Sequence, residues 1–263
     1  MKSLWRLGFM TLLIEVPVTA QKNVDEILLM SEAAYAALTT YIGTTIVEDH
    51  LETDVMKLEK TATAKIVFAR PGRINIQGKI ETGMFPAQTF EIISNGNITW
   101  RSWSIIDGGV FKIEKSLEMA IAGMTGVAVN APTTIPAALM KMSWGYPFTQ
   151  ALTSGAQLEG SEKIDSLDCY KIVSVSDINT RTYWIDAENF LLRQIKDEQT
   201  EKQLAALQKR TKEQTDKFAK ERGINVPALN MKSRVTLHKF IVESINGSID
   251  EKLFADPTRG KKE

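Results

Sequence analysis

The chain has 263 residues, 43% of them hydrophobic, and its 32 basic side chains are balanced by 32 acidic ones. This hydrophobic content supports a sizeable core and excludes a disordered chain, and the length suits one β-rich domain with an insertion or two domains. A net charge of zero provides no field that would attract phosphate backbones, which argues against nucleic acid as a partner.

The first residues have the order of a secretory signal peptide. Lys2 and Arg6 precede a mostly apolar run, Leu7 to Val18, and small residues follow it up to Ala20. We therefore predict that residues 1–20 are a signal peptide and that the protein is periplasmic. The residue directly after the cleavage site is Gln21 and not a cysteine, so the mature N-terminus is not expected to carry a lipid.

A helix and then strands are predicted after the signal peptide. Asn23 and Glu26 have the spacing of a capping box, and apolar residues recur at helical spacing as far as Gly43, where we expect the helix to end. Apolar residues then take every second position from Ala62 to Phe68 and from Ile74 to Ile80. This period of two predicts strands with one dry face and one solvated face.

Turn signals connect these strands into an antiparallel meander. Arg70 begins an Arg-Pro-Gly turn, and we interpret it as a turn residue and edge charge rather than a ligand-binding group. An Asn-Gly pair at 95–96 predicts a hairpin between Phe90 to Ile93 and Ile98 to Trp103.

The segment from Ala120 to Met140 has 21 uncharged residues, which is long enough to cross a bilayer. However, glycine and proline residues interrupt it, and a helix facing lipid would be broken repeatedly. We predict two short helices instead, Ser116 to Met124 and Ile135 to Met142, and no transmembrane span in the mature chain.

Short strands and tight turns follow from Gly155 to Lys196, through the stretches 163–171, 182–186 and 191–195. This series resembles the second half of bacterial envelope proteins of the LolA/LolB-like lipoprotein-carrier superfamily. It is most similar to a branch of predicted periplasmic proteins that mostly lack an assigned function. The Phe-Ala-Asp-Pro ending at 254–257 is also similar to an ending common in the superfamily.

The resemblance implies a mainly β (α+β) fold, a half-open antiparallel β-barrel wrapped over an N-terminal helix and short lid helices. Residues 21–257 would form this domain, and residues 258–263 a disordered tail. An apolar cavity would bind a lipid or an acylated protein, so that the protein acts as a carrier without bond chemistry. In the best-known carriers an arginine locks the lid, and no arginine of this chain is assigned that role from the sequence.

Methionine and aromatic side chains suit a site that accommodates flexible acyl chains. The alternative is that the same residues simply pack the core. The residues predicted to line the cavity and the lid are Ile74, Ile76, Trp100, Met119, Leu139, Met142, Trp144 and Tyr183.

The composition changes at Asp197. Residues 197–222 contain six acidic and seven basic side chains, several of them in oppositely charged pairs at i, i+4 spacing. We predict a long solvated helix within an insertion at 197–230. An alternative function follows from it, an envelope interaction module that docks a partner protein through this helix.

The chemical inventory is sparse. His50 and His238 are the two histidines, and neither accompanies a nucleophile motif. They lie far apart in sequence from the one cysteine, Cys169, which has no partner for an internal disulfide. Glu48 and Asp49 point to opposite faces of a strand and are interpreted as a solvated edge. We therefore predict no catalytic residue, no metal site and no cofactor.

Overall fold

The computed structural model describes residues 22–83, 85–209 and 231–259, and the structural statements below refer to these residues. The helices are α1 (Val24–Ala37), α2 (Leu117–Thr125), α3 (Thr134–Met140), α4 (Thr149–Thr153), α5 (201–209) and a C-terminal 3-10 helix (Glu251–Phe254). The strands are β1 (Thr40–Thr53), β2 (Lys57–Ala69), β3 (Arg73–Glu81), β4 (Gln88–Asn95), β5 (Thr99–Trp103), β6 (Lys112–Glu114), β7 (Gln157–Ile164), β8 (Leu167–Val175), β9 (Thr180–Asp186), β10 (Leu192–Thr200) and β11 (Met231–Ile245).

The described strands form one antiparallel sheet of eleven strands in the order β6-β5-β4-β3-β2-β1-β11-β10-β9-β8-β7. β1 pairs with β11, so the first and last strands of the chain meet at the centre of the sheet. β6 and β7 are the two edges, and they remain unpaired with each other. The prediction of a mainly β, half-open antiparallel barrel is confirmed.

One face of the sheet, called the inner face below, packs against the helices and forms the main core. The even positions of β2 and β3 point into it, and Ile66, Ile74 and Ile76 have no exposed surface. Ile27 and Tyr35 of α1 fill the space opposite them. The predicted alternation is therefore correct, because a strand turns successive side chains to opposite faces.

The predicted end of the first helix is wrong. The capping box of Asn23 and Glu26 is present, but α1 ends at Ala37 and Tyr41 lies in β1. From Tyr41 to Asp49 the odd positions of β1 are buried, so the apolar residues here also fit a period of two. Pairing of β1 with β2 and β11 decides between the two periods, because a short apolar run is compatible with either element.

The C-terminal segment covers part of the opposite, outer face of the sheet. Phe254 is buried against Val67 and Ala69, and Asn75 Nδ2 donates a hydrogen bond to the carbonyl oxygen of Leu253 at 2.8 Å. The sheet therefore buries apolar side chains on both of its faces around β2, β3 and β4. The sequence prediction of one dry and one solvated face for these strands does not anticipate this burial.

The two short helices predicted in the uncharged segment correspond to α2 and α3. Within the described ranges, no helix is long and apolar enough to span a membrane. The charged segment differs from the prediction at its start, because β10 continues through Thr200 and the helix begins at 201. Residues 210–230 lie outside the described residues, as do the predicted signal peptide and residues 260–263, so these predictions remain predictions.

Candidate functional site

The structure brings together most of the residues that the sequence predicts for the cavity and lid. Ile74, Ile76, Leu139 and Tyr183 are fully buried in the main core, and Met142 is nearly so. Trp144, on the loop after α3, is partly buried against the same core. The space between the inner face and the helices is thus filled by side chains. We call α1, α2, α3 and α4 the helical cover, and a ligand would have to displace part of it.

Two of the predicted residues lie elsewhere. Trp100 is buried, but it lies three residues from the core residue Trp103 and so faces the outer side of β5. There it lines a surface cavity with Arg73 and Phe254. Met119 lies on α2 and is 52% exposed. The predicted residues therefore do not form one continuous surface. The prediction failed for Trp100 because the sequence does not show which face of β5 meets the helices.

A residue with a different predicted role, Arg70, connects the cover to the sheet. Its Nε donates to the carbonyl oxygen of Leu38 at 2.7 Å, and Nη2 donates to the carbonyl oxygens of Tyr35 and Leu139 at 3.1 Å each. Tyr35 and Leu139 belong to the last turns of α1 and α3. Arg70 is an exposed turn residue, as predicted, and it also has a structural role that the sequence interpretation did not include.

The contacts of Arg70 have a clear physical basis. The last carbonyl groups of a helix have no partner within the helix, and they carry the negative end of its dipole. A guanidinium offers five donors in a fixed plane, so one Arg can satisfy carbonyls from two helices at once. Arg70 therefore holds the C-terminal ends of α1 and α3 at the end of β2.

Two lysines tie the cover at other points. Lys141, at the C-terminal cap of α3, forms an ion pair with Glu32 of α1 at 2.9 Å. Lys60 Nζ of β2 donates to the carbonyl oxygen of Val127, between α2 and α3, at 3.2 Å. Both lysine contacts are near the surface, where such pairs contribute little, so they add little to the apolar packing of the cover and to the contacts of Arg70.

The inner face is polar at one end, where β1, β9, β10 and β11 lie side by side. Arg181 of β9 binds Asp197 of β10 through two hydrogen bonds of 2.6 and 2.8 Å. Arg234 of β11 binds Asp49 of β1 in the same manner, at 2.8 and 2.9 Å. Burial works to raise the pKa of the Asp49 carboxyl, but the hydrogen bonds and charge of Arg234 hold it below its usual value. We call these four residues the polar end of the inner face.

Two interpretations from the sequence are wrong at the polar end. Asp197 belongs to a strand and to an internal ion pair, not to a solvated helix. Glu48 and Asp49 do point to opposite faces, but β1 is the central strand, so Asp49 is buried and not at a solvated edge. No local signal could have identified these pairs, because their partners are distant in sequence.

His238 of β11 lies beside the polar end and is only 3% exposed. Its ring stacks on Phe240, with ring centroids 6.3 Å apart, and Nδ1 has no hydrogen-bond partner among the described residues. It lines a cavity of about 170 Å³ between the polar end and the residues before and after α3. Burial lowers the pKa of His238 to about 4, so the imidazole is neutral near pH 7.

The other candidate reactive groups lie apart from this cavity. His50 is on the surface and faces Glu59, with Nδ1 3.6 Å from a carboxylate oxygen. Cys169 is buried on β8, and burial raises the pKa of its thiol to about 11, which leaves it protonated and unreactive. No cluster of three or more His, Cys, Asp or Glu side chains that could hold a metal ion occurs within the described ranges.

No protein-family model and no curated protein matches the sequence. Solved structures that do match include LprF from Mycobacterium bovis, with 11% identity, coverage of 86% of this chain and 93% of that one, and a TM-score of 0.38. A LolA superfamily protein from Nitrosomonas europaea aligns with 11% identity over 90% of this chain and 99% of that one, with a TM-score of 0.31.

A third match is to the MucA/MucB complex of Pseudomonas aeruginosa, with 10% identity over 88% of this chain and 60% of the matched chain, and a TM-score of 0.38. At these identities and TM-scores the matches carry no argument about function, so any functional conclusion has to come from the residues of this chain.

Proposed function

We propose that this chain is a periplasmic carrier that binds a lipid, or the acyl chain of a lipid-modified protein, non-covalently between the inner face and its helical cover. The observation that supports this proposal most directly is the attachment of the cover. α2, α3 and α4 take no part in sheet pairing, and α3 is joined to the sheet by apolar contacts and by Arg70. Such a cover can separate from the sheet while the strands stay paired.

The driving force would be burial of the acyl chain. Each methylene removed from water contributes about 0.8 kcal/mol, so a chain of a dozen methylenes offsets the loss of several apolar contacts of the cover. The ligand would take the place of side chains such as Leu139 and Met142 against Ile74 and Ile76. Binding of this kind needs no catalytic residue, no metal and no cofactor.

A charge on the inner side of the cover tests the proposal. Met142 is 5% exposed, and a carboxylate there must lose its water whenever the cover closes, at a cost of several kcal/mol. Met142→Glu should weaken binding of a fluorescent fatty-acyl probe at least tenfold, which corresponds to about 1.4 kcal/mol. The circular dichroism of the sheet and cooperative melting should be nearly unchanged.

Leu152→Glu is the matched control, because Leu152 lies on α4 of the same cover and is 55% exposed. This variant should bind the probe within twofold of wild type. If wild-type protein does not bind the probe, the carrier proposal fails. If Met142→Glu unfolds, Met142 belongs to the permanent core and the cover does not open at this position.

The alternative, an envelope interaction module that docks a protein through the charged helix, has a separate test. The described part of this helix is anchored on the sheet, since Leu204 is buried and Gln203 Nε2 donates to the carbonyl oxygen of Ser176 at 3.2 Å. A stable hetero-complex that is lost on removal of residues 205–230, with probe binding unchanged, would favour this alternative over the carrier.

A further inference from the structure

The inner face changes from apolar to polar along β11, and His238 marks the boundary. Phe240 lies on the apolar side of His238 in the main core, and Thr236 lies on its other side, where its hydroxyl donates to Asp49 at 2.8 Å. Side chains two residues apart on a strand share one face and are about 7 Å apart. A molecule lying along this face would therefore meet hydrocarbon at one end and hydrogen-bonding groups at the other.

His238 has unused hydrogen-bonding capacity at this boundary. A buried polar atom without a partner costs about 1–3 kcal/mol, so a partner from solvent or from a ligand would stabilise it. Nδ1 of His238 is such an atom among the described residues, on a side chain that is nearly inaccessible from outside. The ring lines the cavity together with Thr133 and Thr134, which begin α3.

The charges around the cavity select against a charged ligand. Arg181 and Asp197 are the charged groups among its described lining residues, and they neutralise each other through two hydrogen bonds. Asp197 also accepts a hydrogen bond from Asn179 at 2.8 Å. A carboxylate, phosphate or ammonium entering here would lose water without gaining a free counter-ion.

A hydroxyl group fits the remaining requirement. It can donate to an unprotonated Nδ1 or accept from a protonated one, so it suits either tautomer of a neutral imidazole. The cavity volume of about 170 Å³ is below the ~300–1,000 Å³ of sites that enclose whole ligands, so it would hold only the head of a larger molecule.

We propose that His238 and this cavity bind the uncharged, hydroxyl-bearing head of the acyl ligand, while its chain lies on the apolar part of the inner face. This inference rests on the carrier function proposed above and adds both a ligand class and an orientation to it. A monoacylglycerol has the required chemistry, with an acyl chain, no charge and two hydroxyl groups.

The experiment compares two probes that share an acyl chain and an ester and differ in their hydroxyl groups. 1-Monooleoylglycerol and methyl oleate each compete with the fluorescent acyl probe on wild type, His238→Leu and His50→Leu. Wild type should bind monooleoylglycerol at least tenfold more tightly than methyl oleate. His238→Leu should abolish this preference and change methyl oleate affinity less than twofold, whereas His50→Leu, on the surface, should change neither affinity.

A second measurement does not depend on a variant. The chain has two histidines, so ¹⁵N-histidine labelling gives two imidazole spectra, and His50 serves as the internal reference. Monooleoylglycerol should shift the Nδ1 resonance of His238, and methyl oleate should not. Equal binding of both probes, or an unshifted His238, overturns the head-group site and leaves the carrier proposal standing. If neither probe displaces the fluorescent one from wild type, the head-group proposal fails, whereas the carrier proposal fails only if the fluorescent probe itself does not bind.

Discussion

Replacing Arg70 with methionine should loosen the cover without dismantling the sheet. The change keeps an unbranched side chain of similar length and removes the three hydrogen bonds to Tyr35, Leu38 and Leu139. Two of these acceptors are on or next to α1 and one is on α3, so both helices lose an attachment.

The size of the effect follows from these contacts. A hydrogen bond from a charged donor contributes about 1.5–3 kcal/mol, but Arg70 is exposed, and water can partly replace it at the freed carbonyls. We take about 1 kcal/mol for each bond, which predicts a loss of roughly 2–3 kcal/mol in the free energy of unfolding. The share of α3 is one bond, about 1 kcal/mol, which corresponds to a roughly fivefold increase in the open population of the cover.

Hydrogen exchange measured by mass spectrometry separates the cover from the sheet. Peptides of α3 should exchange about fivefold faster in Arg70→Met through local opening of the cover, while peptides of the β1–β11 pair should exchange only through global unfolding. Arg70→Lys should be intermediate, because an ammonium keeps the charge but not the planar set of donors. Arg259→Met is the control, since Arg259 is 88% exposed and contacts Asp256 at 3.7 Å. Unchanged α3 exchange in Arg70→Met would refute the assignment of Arg70 as an attachment of the cover.

Three further predictions concern His238, Gly78 and the N-terminus. Because burial lowers the pKa of His238 from 6.5 to about 4, the unfolded state protonates first as the pH falls. Urea titrations should therefore show that the free energy of unfolding is about 2 kcal/mol lower at pH 5 than at pH 7. This pH dependence should vanish in His238→Leu. If it persists in His238→Leu, another group causes it. A Cβ at Gly78 would lie 2.0 Å from the Phe90 ring, so Gly78→Ala should lower the free energy of unfolding by about 1–3 kcal/mol. Gly123→Ala is the control, because a Cβ there would meet open space, and it should not destabilise the fold. Equal melting temperatures of the two variants would contradict the overpacking argument. N-terminal sequencing of protein recovered from the periplasm should begin at Gln21, and a full-length chain in the cytosol would exclude export.

The local pattern of the sequence was sufficient for β2, β3 and the β4–β5 hairpin, although not for the start of β1. Alternation at 62–68 and 74–80 predicted which side chains point inward, and an Asn-Gly pair predicted the β4–β5 hairpin. The capping box of Asn23 and the two short helices of the uncharged segment were also readable. These features depend on residues a few positions apart, so their physical causes are present in any short window of the chain.

The tertiary structure alone decided the features that join distant segments. Trp100 faces outward because the C-terminal segment, rather than the cover, lies against its side of the sheet. The role of Arg70 required the ends of two helices to meet at one side chain. Asp197 and His238 became part of one polar site only when β9, β10 and β11 were paired. Which face of a strand is covered, and by which segment, depends on contacts between residues far apart in sequence, and local periodicity contains no information about them.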